Sequence, residues 1–382
     1  MGITANLTKK GTILKIKDHL IKNGPIIYKS INIEINTNNS KDYFNYLKLI
    51  NFDFCKKFEI GPYFLCEIPC LFNKSYQNTA TSRLLHLLKL IKYPKAEALD
   101  YKFLFTSDSI LNLSKLNYNK LNEFIIDCPS MAFRILLYCV KLSFTPEIFF
   151  YSNIHKGNSN NTQKIKNQIE LDIPRTCFKY DVLKQKEFIT NFRTLLFEIA
   201  CRDEELSYVQ GMNFLAAFIL MFTGNQLELS LILFTKILYL KSEFFGMYYR
   251  NCFGSNFSLL RNYTVKFKDM VWRYENEIYN KLEDIGNDYY LWVSKWIQTL
   301  FVLNFKFELA MKFWDIIISE GLDSVLVISI SIVKFIEKDI IKANYIEDLL
   351  LIIEKINSFT QNEYVKLFTF IEKNVKNHIY PI

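Results

Sequence analysis

Glycine and proline are scarce in this chain. Its 382 residues contain only 11 Gly and 8 Pro, whereas β-sandwiches use both residues at their many turns. The shortage therefore argues against a turn-rich sandwich and favours a helical protein. No internal repeat is visible, so a solenoid is disfavoured. Half of the residues are apolar, and a chain of this length can bury a substantial core as one large domain or two ordinary ones.

The chain also lacks the cysteine and histidine patterns of metal sites and disulfide frameworks. Its eight Cys are scattered, and the single close pair, Cys66 and Cys70, is not followed by a second Cys or His pair at zinc-ligand spacing. The four His form no cluster. We therefore expect no bound metal, and reduced thiols in a cytoplasmic protein.

No stretch is apolar for long enough to span a bilayer, and no secretory leader opens the sequence. The longest apolar run, Val325 to Val333, contains two serines. We expect a soluble protein. Its charge is uneven, because residues 1–120 contain 18 Lys or Arg against 9 Asp or Glu, a balance of +9. This predicts either a solvated basic surface or peripheral contact of residues 1–120 with anionic endomembranes. No dense Lys/Arg stripe is present, so we expect no nucleic-acid partner.

Helical periodicity dominates from residue 82 onward. Apolar residues between Ser82 and Tyr93 predict a helix over about residues 82–93. Two earlier stretches, Tyr28 to Ile35 and Phe58 to Ile68, have strand-like patterns. We leave the fold of the basic region 1–119 open, with α+β as one alternative, and predict an all-α domain over residues 120–378.

Later segments strengthen the helical prediction. Asp181 is placed to cap a helix whose apolar residues recur at helical spacing up to Ile199. Trp296 and Trp314 lie on apolar helix faces, which predicts core positions for both, and Gly321 is placed to end the second of these helices.

Polar and charged residues that could perform chemistry are concentrated in two short stretches. The first reads Ile-Glu-Leu-Asp-Ile-Pro-Arg-Thr at residues 169–176, after a polar stretch from Gly157 to Gln163 that we expect to be a loop. Pro174 fixes its own φ and disfavours helix for the preceding residue. We therefore expect Arg175 to lie on a stiff loop rather than within a helix.

The second stretch reads Tyr-Val-Gln-Gly-Met-Asn at residues 208–213 and leads into an apolar segment that predicts a helix to about Phe222. Gly211 has no Cβ, so a partner could approach the backbone beside Gln210. An exposed arginine can neutralise charge on a transferring phosphoryl group, and a glutamine amide can orient the attacking water. The chain has no Gly-x-x-x-x-Gly-Lys-Ser/Thr loop, so the nucleotide would belong to a partner.

The pattern Ile-x-x-Asp-x-x-Arg-Thr followed by Tyr-x-Gln-Gly resembles the TBC domain, the catalytic module of GTPase-activating proteins for Rab GTPases. The resemblance places Arg175 at the arginine finger and Gln210 at the glutamine finger. It places Asp172 and Thr176 at supporting positions of the first motif, and Tyr208, Gly211 and Asn213 at supporting or partner-binding positions of the second. Arg134-x-x-x-Tyr138 resembles an opening Arg-x-x-x-Trp motif in which Tyr138 replaces the tryptophan. Ser207 stands where the family often has glycine.

The resemblance implies two helical subdomains that form a groove for a Rab-family small GTPase. The partner would bind GTP and Mg²⁺, so we expect this chain to need no cofactor or metal of its own. Two roles stay open: Asp172 could hold the Arg175 guanidinium or cap a loop, and Tyr208 could pack under its loop or contact the GTPase. The alternatives to GTPase activation are a non-catalytic TBC scaffold in membrane trafficking and a membrane-peripheral adaptor.

Overall fold

The computed structural model describes residues 125, 134, 137–138, 141–142, 159–177, 181–202, 206–223, 225, 227–254 and 256–382. Within these ranges the chain forms α-helices and short 3₁₀ turns and has no β-strand. The one β-type pairing found there is an isolated bridge between Lys241 and Tyr248. The all-α fold class is thereby confirmed for this part of the chain. The helix predicted over residues 82–93 and the two strand-like stretches lie outside the described residues.

Twelve α-helices are present in the part of the chain that the structure describes. They are α1 (Ser159–Cys177), α2 (Lys186–Arg202), α3 (Met212–Phe222), α4 (Leu227–Leu238), α5 (Ser258–Tyr274), α6 (Asn276–Asp284), α7 (Val293–Gln298), α8 (Phe307–Glu320), α9 (Ser324–Phe335), α10 (Glu337–Ile340), α11 (Ile346–Lys355) and α12 (Gln361–Lys376). Four 3₁₀ turns accompany them at Asp181–Lys184, Tyr249–Cys252, Tyr289–Leu291 and Ile356–Ser358. The helix predicted to begin at Asp181 therefore consists of a 3₁₀ turn followed by α2.

The chain divides into two compact units, and the first contains residues 173–198 and 219–233 together with the residues described before position 160. Phe188, Phe192 and Leu195 form the buried face of α2 at the spacing that the sequence predicts. Tyr138 is buried and stacks on Phe222, with ring centroids 5.1 Å apart. The tyrosine that stands in place of a tryptophan is therefore a core residue of this unit.

The second unit contains residues 160–172, 199–218 and 234–382, and its central element is α9. Residues Ser324 to Val333 of this helix are all buried, because α9 is packed by α5, α7, α8 and α12. Two of its serines form hydrogen bonds inside the core. The Ser329 hydroxyl donates to the Val325 carbonyl at 2.7 Å, and the Ser331 hydroxyl accepts from the Asn374 side-chain amide at 3.0 Å. The longest apolar run of the sequence is thus a buried helix of a helical core.

The two later landmarks of the sequence are core elements of this unit, as predicted. Trp296 and Trp314 are buried, and the Trp314 indole N–H donates to the Leu300 carbonyl at 3.1 Å. Asp315 beside it is buried and pairs with buried Lys312 at 3.3 Å. Gly321 follows the last residue of α8 with φ 95°, so it ends the helix in a conformation that favours glycine.

The prediction that Arg175 lies on a loop is wrong, because Pro174 and Arg175 both lie within α1. Proline costs the helix one backbone hydrogen bond, the one that residue 174 would donate to Glu170. Glu170 and Pro174 are both exposed, so a water molecule can donate a hydrogen bond to the Glu170 carbonyl. The buried face of α1, on the other side, offsets this loss through Ile165, Ile169 and Ile173. The loop expected from Gly157 to Gln163 is likewise helical from Ser159 onward.

Candidate functional site

The first motif occupies the last two turns of α1. Its residues lie on two faces of the helix, one buried and one exposed. Asp172 and Thr176 are buried, in line with the apolar residues of the helix, whereas Leu171 and Arg175 are exposed one turn apart. Arg175 lies in the last turn, where the partial negative charge of the helix C-terminus favours a cation. The helix therefore presents the guanidinium to solvent from a regular backbone.

Asp172 is an acceptor for the second motif. The Tyr208 hydroxyl donates to its Oδ2 at 2.8 Å, and the Gln168 side-chain amide lies at 3.5 Å from the same oxygen. Both Asp172 and Tyr208 are buried. Burial and this hydrogen bond raise the pKa of the Tyr208 hydroxyl above its ordinary value. The bond joins α1 to the loop that precedes α3.

Two backbone N–H groups at the end of the loop also form hydrogen bonds within the same segment. The Gly211 N–H donates to the Asn213 side-chain oxygen at 2.9 Å, and the Met212 N–H donates to the Val209 carbonyl at 3.2 Å. Asn213 is buried within the first turn of α3. Gln210 is the exposed residue of this turn. A loop fixed on both sides thus presents one amide to solvent.

Gly211 is required by the chain's own packing. Its φ is 111°, a conformation that residues with a Cβ rarely adopt. A Cβ there would meet Gln298 at 3.3 Å and Phe253 at 3.5 Å. Gln298 and Phe253 thus occupy the space toward which a Cβ would point, on the buried side of the loop, and close approach of a partner at Gly211 stays a prediction.

Sequence reasoning missed Gln298 and Phe253 as neighbours of the second motif. For Gln298 one signal was available, since it is a polar residue inside the apolar stretch Trp296 to Phe301. Phe253 follows a 3₁₀ turn and carries no local signal.

The predicted site residues thus fall into two classes by exposure. Arg175 and Gln210 are exposed. The others are buried, namely Asp172, Thr176, Tyr208, Gly211 and Asn213. Tyr208 packs under its loop, where its hydroxyl reaches Asp172, and its contact with a GTPase stays a prediction. A pairing of Asp172 with Arg175 stays a prediction.

Comparison with known proteins identifies the family of this chain. The family model of the Rab-GTPase-TBC domain matches residues 136–341, which is more than half of the chain. The chain belongs to this family. The matched residues of the TBC domain include both motifs and both tryptophan landmarks.

Relatives of this TBC domain are distant in sequence. Rab GTPase-activating protein tbc-11 of Caenorhabditis elegans is 25% identical over 178 residues, which are 46% of this chain and 18% of that protein. Growth hormone-regulated TBC protein 1 of Xenopus tropicalis is 22% identical over 221 residues, 57% of this chain and 60% of that protein. TBC domain-containing protein kinase-like protein of Homo sapiens is 30% identical over 150 residues, 39% of this chain and 16% of that protein. The chain spans less than two thirds of each relative.

Two solved structures show the same TBC fold. The TBC domain of a Chlamydomonas flagellar RabGAP superposes with a TM-score of 0.57 at 14% identity, covering 79% of this chain and 95% of that one. The YPT/RAB-GAP domain of Gyp1p superposes with a TM-score of 0.60 at 13% identity, covering 78% of this chain and 99% of that one. At these identities the similarity establishes the fold alone.

The described residues contain neither a cluster of metal ligands nor a helix that could span a membrane. No group of three or more His, Cys, Asp or Glu side chains in them is arranged to hold a metal ion. None of the helices described for this TBC domain combines the length and the apolar character that crossing a membrane requires.

Proposed function

We propose that this TBC domain accelerates GTP hydrolysis by a Rab-family small GTPase, with Arg175 and Gln210 supplied to the partner's nucleotide. The observation that carries the proposal is the division of the two motifs by exposure. The arginine and the glutamine face solvent, and the five residues predicted to support them are buried. Residues that act on a nucleotide held by another protein have to reach outward, and have to be positioned before the partner arrives.

Arg175 supplies positive charge in the proposed mechanism. Phosphoryl transfer spreads negative charge over the γ-phosphate oxygens, and a planar guanidinium can meet two of them at once. Arginines supplied in this way contribute on the order of 10³–10⁵ in rate. The regular backbone at the end of α1 supports this role, because a helix holds the Cα of Arg175 in a defined place.

Gln210 positions water in the proposed mechanism. Its amide can accept a hydrogen bond from the attacking water and donate one to a γ-phosphate oxygen, so that the water approaches in line with the leaving group. The fixed turn between Tyr208 and Met212 supports this role, since an amide that orients water has to be oriented itself. GTP and Mg²⁺ are bound by the partner, and this chain needs no cofactor.

Other exposed residues contribute to binding rather than to catalysis in this proposal. Leu171 lies one turn before Arg175 on the exposed face of α1 and provides an apolar contact to the GTPase. The basic balance of residues 1–120 remains the reason to predict peripheral association with anionic endomembranes.

A screen of the purified protein against a panel of GTP-loaded Rab GTPases tests the proposal. We expect at least one member to hydrolyse GTP faster by a factor on the order of 10³ or more in the presence of the protein. Binding of GTP-loaded Rabs without acceleration for any of them would replace the proposal by the non-catalytic scaffold.

A further inference from the structure

The Gln298 side chain lies beside the Gln210 loop on its buried side. It is the last residue of α7, and its Cδ and Oε1 lie 3.3 and 3.4 Å from the position that a Cβ of Gly211 would take. Its amide nitrogen lies 3.5 Å from the Cys252 carbonyl oxygen. The Gln298 amide therefore lies on the side of Gly211 toward which a Cβ would point.

Gln298 is itself held in place. Its carbonyl oxygen accepts a hydrogen bond of 2.6 Å from the hydroxyl of Tyr249, which is buried. Phe253, which follows the same 3₁₀ turn as Tyr249, lies on the same side of Gly211, with its ring 3.5 Å from where a Cβ would stand. The hydrogen bond from Tyr249 thus fixes the backbone of Gln298 beside the loop.

Backbone strain is concentrated on both sides of this contact. Six non-glycine residues have positive φ in the part of the chain that the structure describes, and three of them lie here. Ser207 has φ 52° just before the loop, and Leu300 and Phe301 have φ 45° and 70° just after Gln298. Such conformations cost about 1–3 kcal/mol each and persist where the surrounding structure enforces them.

We infer that Gln298 is a positioning residue for Gln210, whose catalytic role rests on the proposed function. Gln298 touches neither the partner nor the nucleotide in this inference. It acts by filling the space behind Gly211, so that the turn keeps the conformation in which the Gln210 amide points outward. Loss of this support lets the turn relax inward and displaces the amide from the attacking water.

Packing contributes more to this support than hydrogen bonding. At 3.5 Å the contact between the Gln298 amide and the Cys252 carbonyl is at the limit for a hydrogen bond and is weak. The Cδ and Oε1 atoms of Gln298 occupy the space beside Gly211, 3.3 and 3.4 Å from where a Cβ would stand, so the side chain fills this space mainly by its volume. Methionine has nearly the same length and volume as glutamine, so Gln298→Met should retain the support, whereas Gln298→Asn and Gln298→Ala should leave a gap behind the loop.

The first experiment measures single-turnover GTP hydrolysis by a responsive Rab over a range of protein concentrations. We expect Gln298→Ala to lower the saturating rate about ten- to hundredfold, the usual consequence of a small misplacement of a catalytic group, with the half-saturating concentration unchanged. Gln298→Met should restore most of the rate. In a Gln210→Ala background, Gln298→Ala should change the rate less than twofold. The exposed Gln185 provides the matched control, and Gln185→Ala should behave as wild type.

Two outcomes of this experiment would overturn the inference. One is a wild-type rate for Gln298→Ala while Gln210→Ala is slow. The other is an equal fold-loss from Gln298→Ala in the wild-type and Gln210→Ala backgrounds, since a general loss of structure does not depend on Gln210.

A second measurement separates failure of this inference from failure of the proposed function. Hydrogen exchange of the peptide that contains Gly211 and Met212 needs no GTPase, and both amides are hydrogen-bonded in the turn. We expect exchange several-fold faster in Gln298→Ala and unchanged in Gln298→Met and Gln185→Ala. If no Rab responds to the wild type, the proposed function fails. Faster exchange in Gln298→Ala would in that case still show that Gln298 stabilises the loop. Unchanged exchange in Gln298→Ala would refute it.

Discussion

Arg175 and Gln210 reach solvent by different structural routes. Arg175 projects from the last turn of α1, where the regular helix and its buried apolar face determine its position. Gln210 projects from a turn between Tyr208 and Met212, where individual contacts determine its position. A helix distributes its support over many residues, whereas a turn depends on a few. The neighbours of Gln210 should therefore be more sensitive to substitution than the neighbours of Arg175.

The largest effect is expected at Arg175 itself. Arg175→Ala should lower the single-turnover rate by about 10³-fold or more, because no other group replaces a guanidinium aimed at the phosphate. Arg175→Lys should restore little, since an ammonium cannot form the paired hydrogen bonds of the planar group. Arg261, an exposed arginine on α5, is the control. If Arg175→Lys were as active as wild type, a point charge would suffice and the geometry of the helix end would be unimportant.

Gly211→Ala tests the sensitivity of the loop. The substitution forces a Cβ into a positive-φ position against Gln298, and we expect a loss of about 1–3 kcal/mol in the free energy of unfolding. The hydrolysis rate should also fall about ten- to hundredfold, because Gln210 moves.

Gly286 is the matched control for this substitution, since it also has positive φ but nothing within 4 Å of a built Cβ. Gly286→Ala should lower thermal stability slightly and leave the rate unchanged. A Gly211→Ala variant with the wild-type rate would show that the loop is no more sensitive than the helix.

Tyr208→Phe removes the hydrogen bond that joins the loop to α1. The buried carboxylate of Asp172 loses a donor at 2.8 Å, which should cost about 1–3 kcal/mol in the free energy of unfolding. We expect a smaller decrease in rate than for Gly211→Ala, because the turn keeps its backbone bonds.

Tyr263→Phe provides the comparison in chemical denaturation, since the Tyr263 hydroxyl donates to Asp323 at 2.7 Å away from the two motifs. A similar loss of stability with an unchanged rate is expected there. Equal rates for Tyr208→Phe and wild type would mean that the Asp172 bond stabilises the fold without positioning the loop.

Ser207→Gly should have the smallest effect, and it should be favourable. Ser207 has φ 52°, a conformation that costs a residue with a Cβ about 1–2 kcal/mol. Glycine removes this cost but gives the unfolded chain more freedom, worth about 0.4–1 kcal/mol. A gain between zero and about 1.6 kcal/mol is expected, visible as a small increase in melting temperature. A lower melting temperature would show that the serine side chain itself stabilises the turn.

The sequence was informative about the fold because helix formation here follows periodicity. The buried face of α2, the core positions of Trp296 and Trp314 and the end of α8 at Gly321 all follow from local patterns. Pro174 was misleading for the same reason. Its local preference argues for a loop, but the buried face of α1 outweighs it.

The site was predictable to a different extent. The motif residues could be identified in the sequence, but their division into exposed and buried residues could not, since it depends on which elements pack against them. Gln298 lies 87 positions after Gly211 in the chain, and nothing local in either stretch indicates their contact. Support of this kind, between residues distant in sequence, becomes visible only in the folded structure.

The central claim is that Arg175 and Gln210 act together on a nucleotide held by the partner. Single-turnover GTP hydrolysis by one responsive Rab, at saturating concentrations of wild type, Arg175→Ala, Gln210→Ala and the double variant, tests it most directly. The account predicts that each single variant still binds the GTP-loaded partner but hydrolyses slowly, and that the double variant loses less than the product of the single losses, because the two residues serve one transition state. Wild-type rates for both single variants would contradict it.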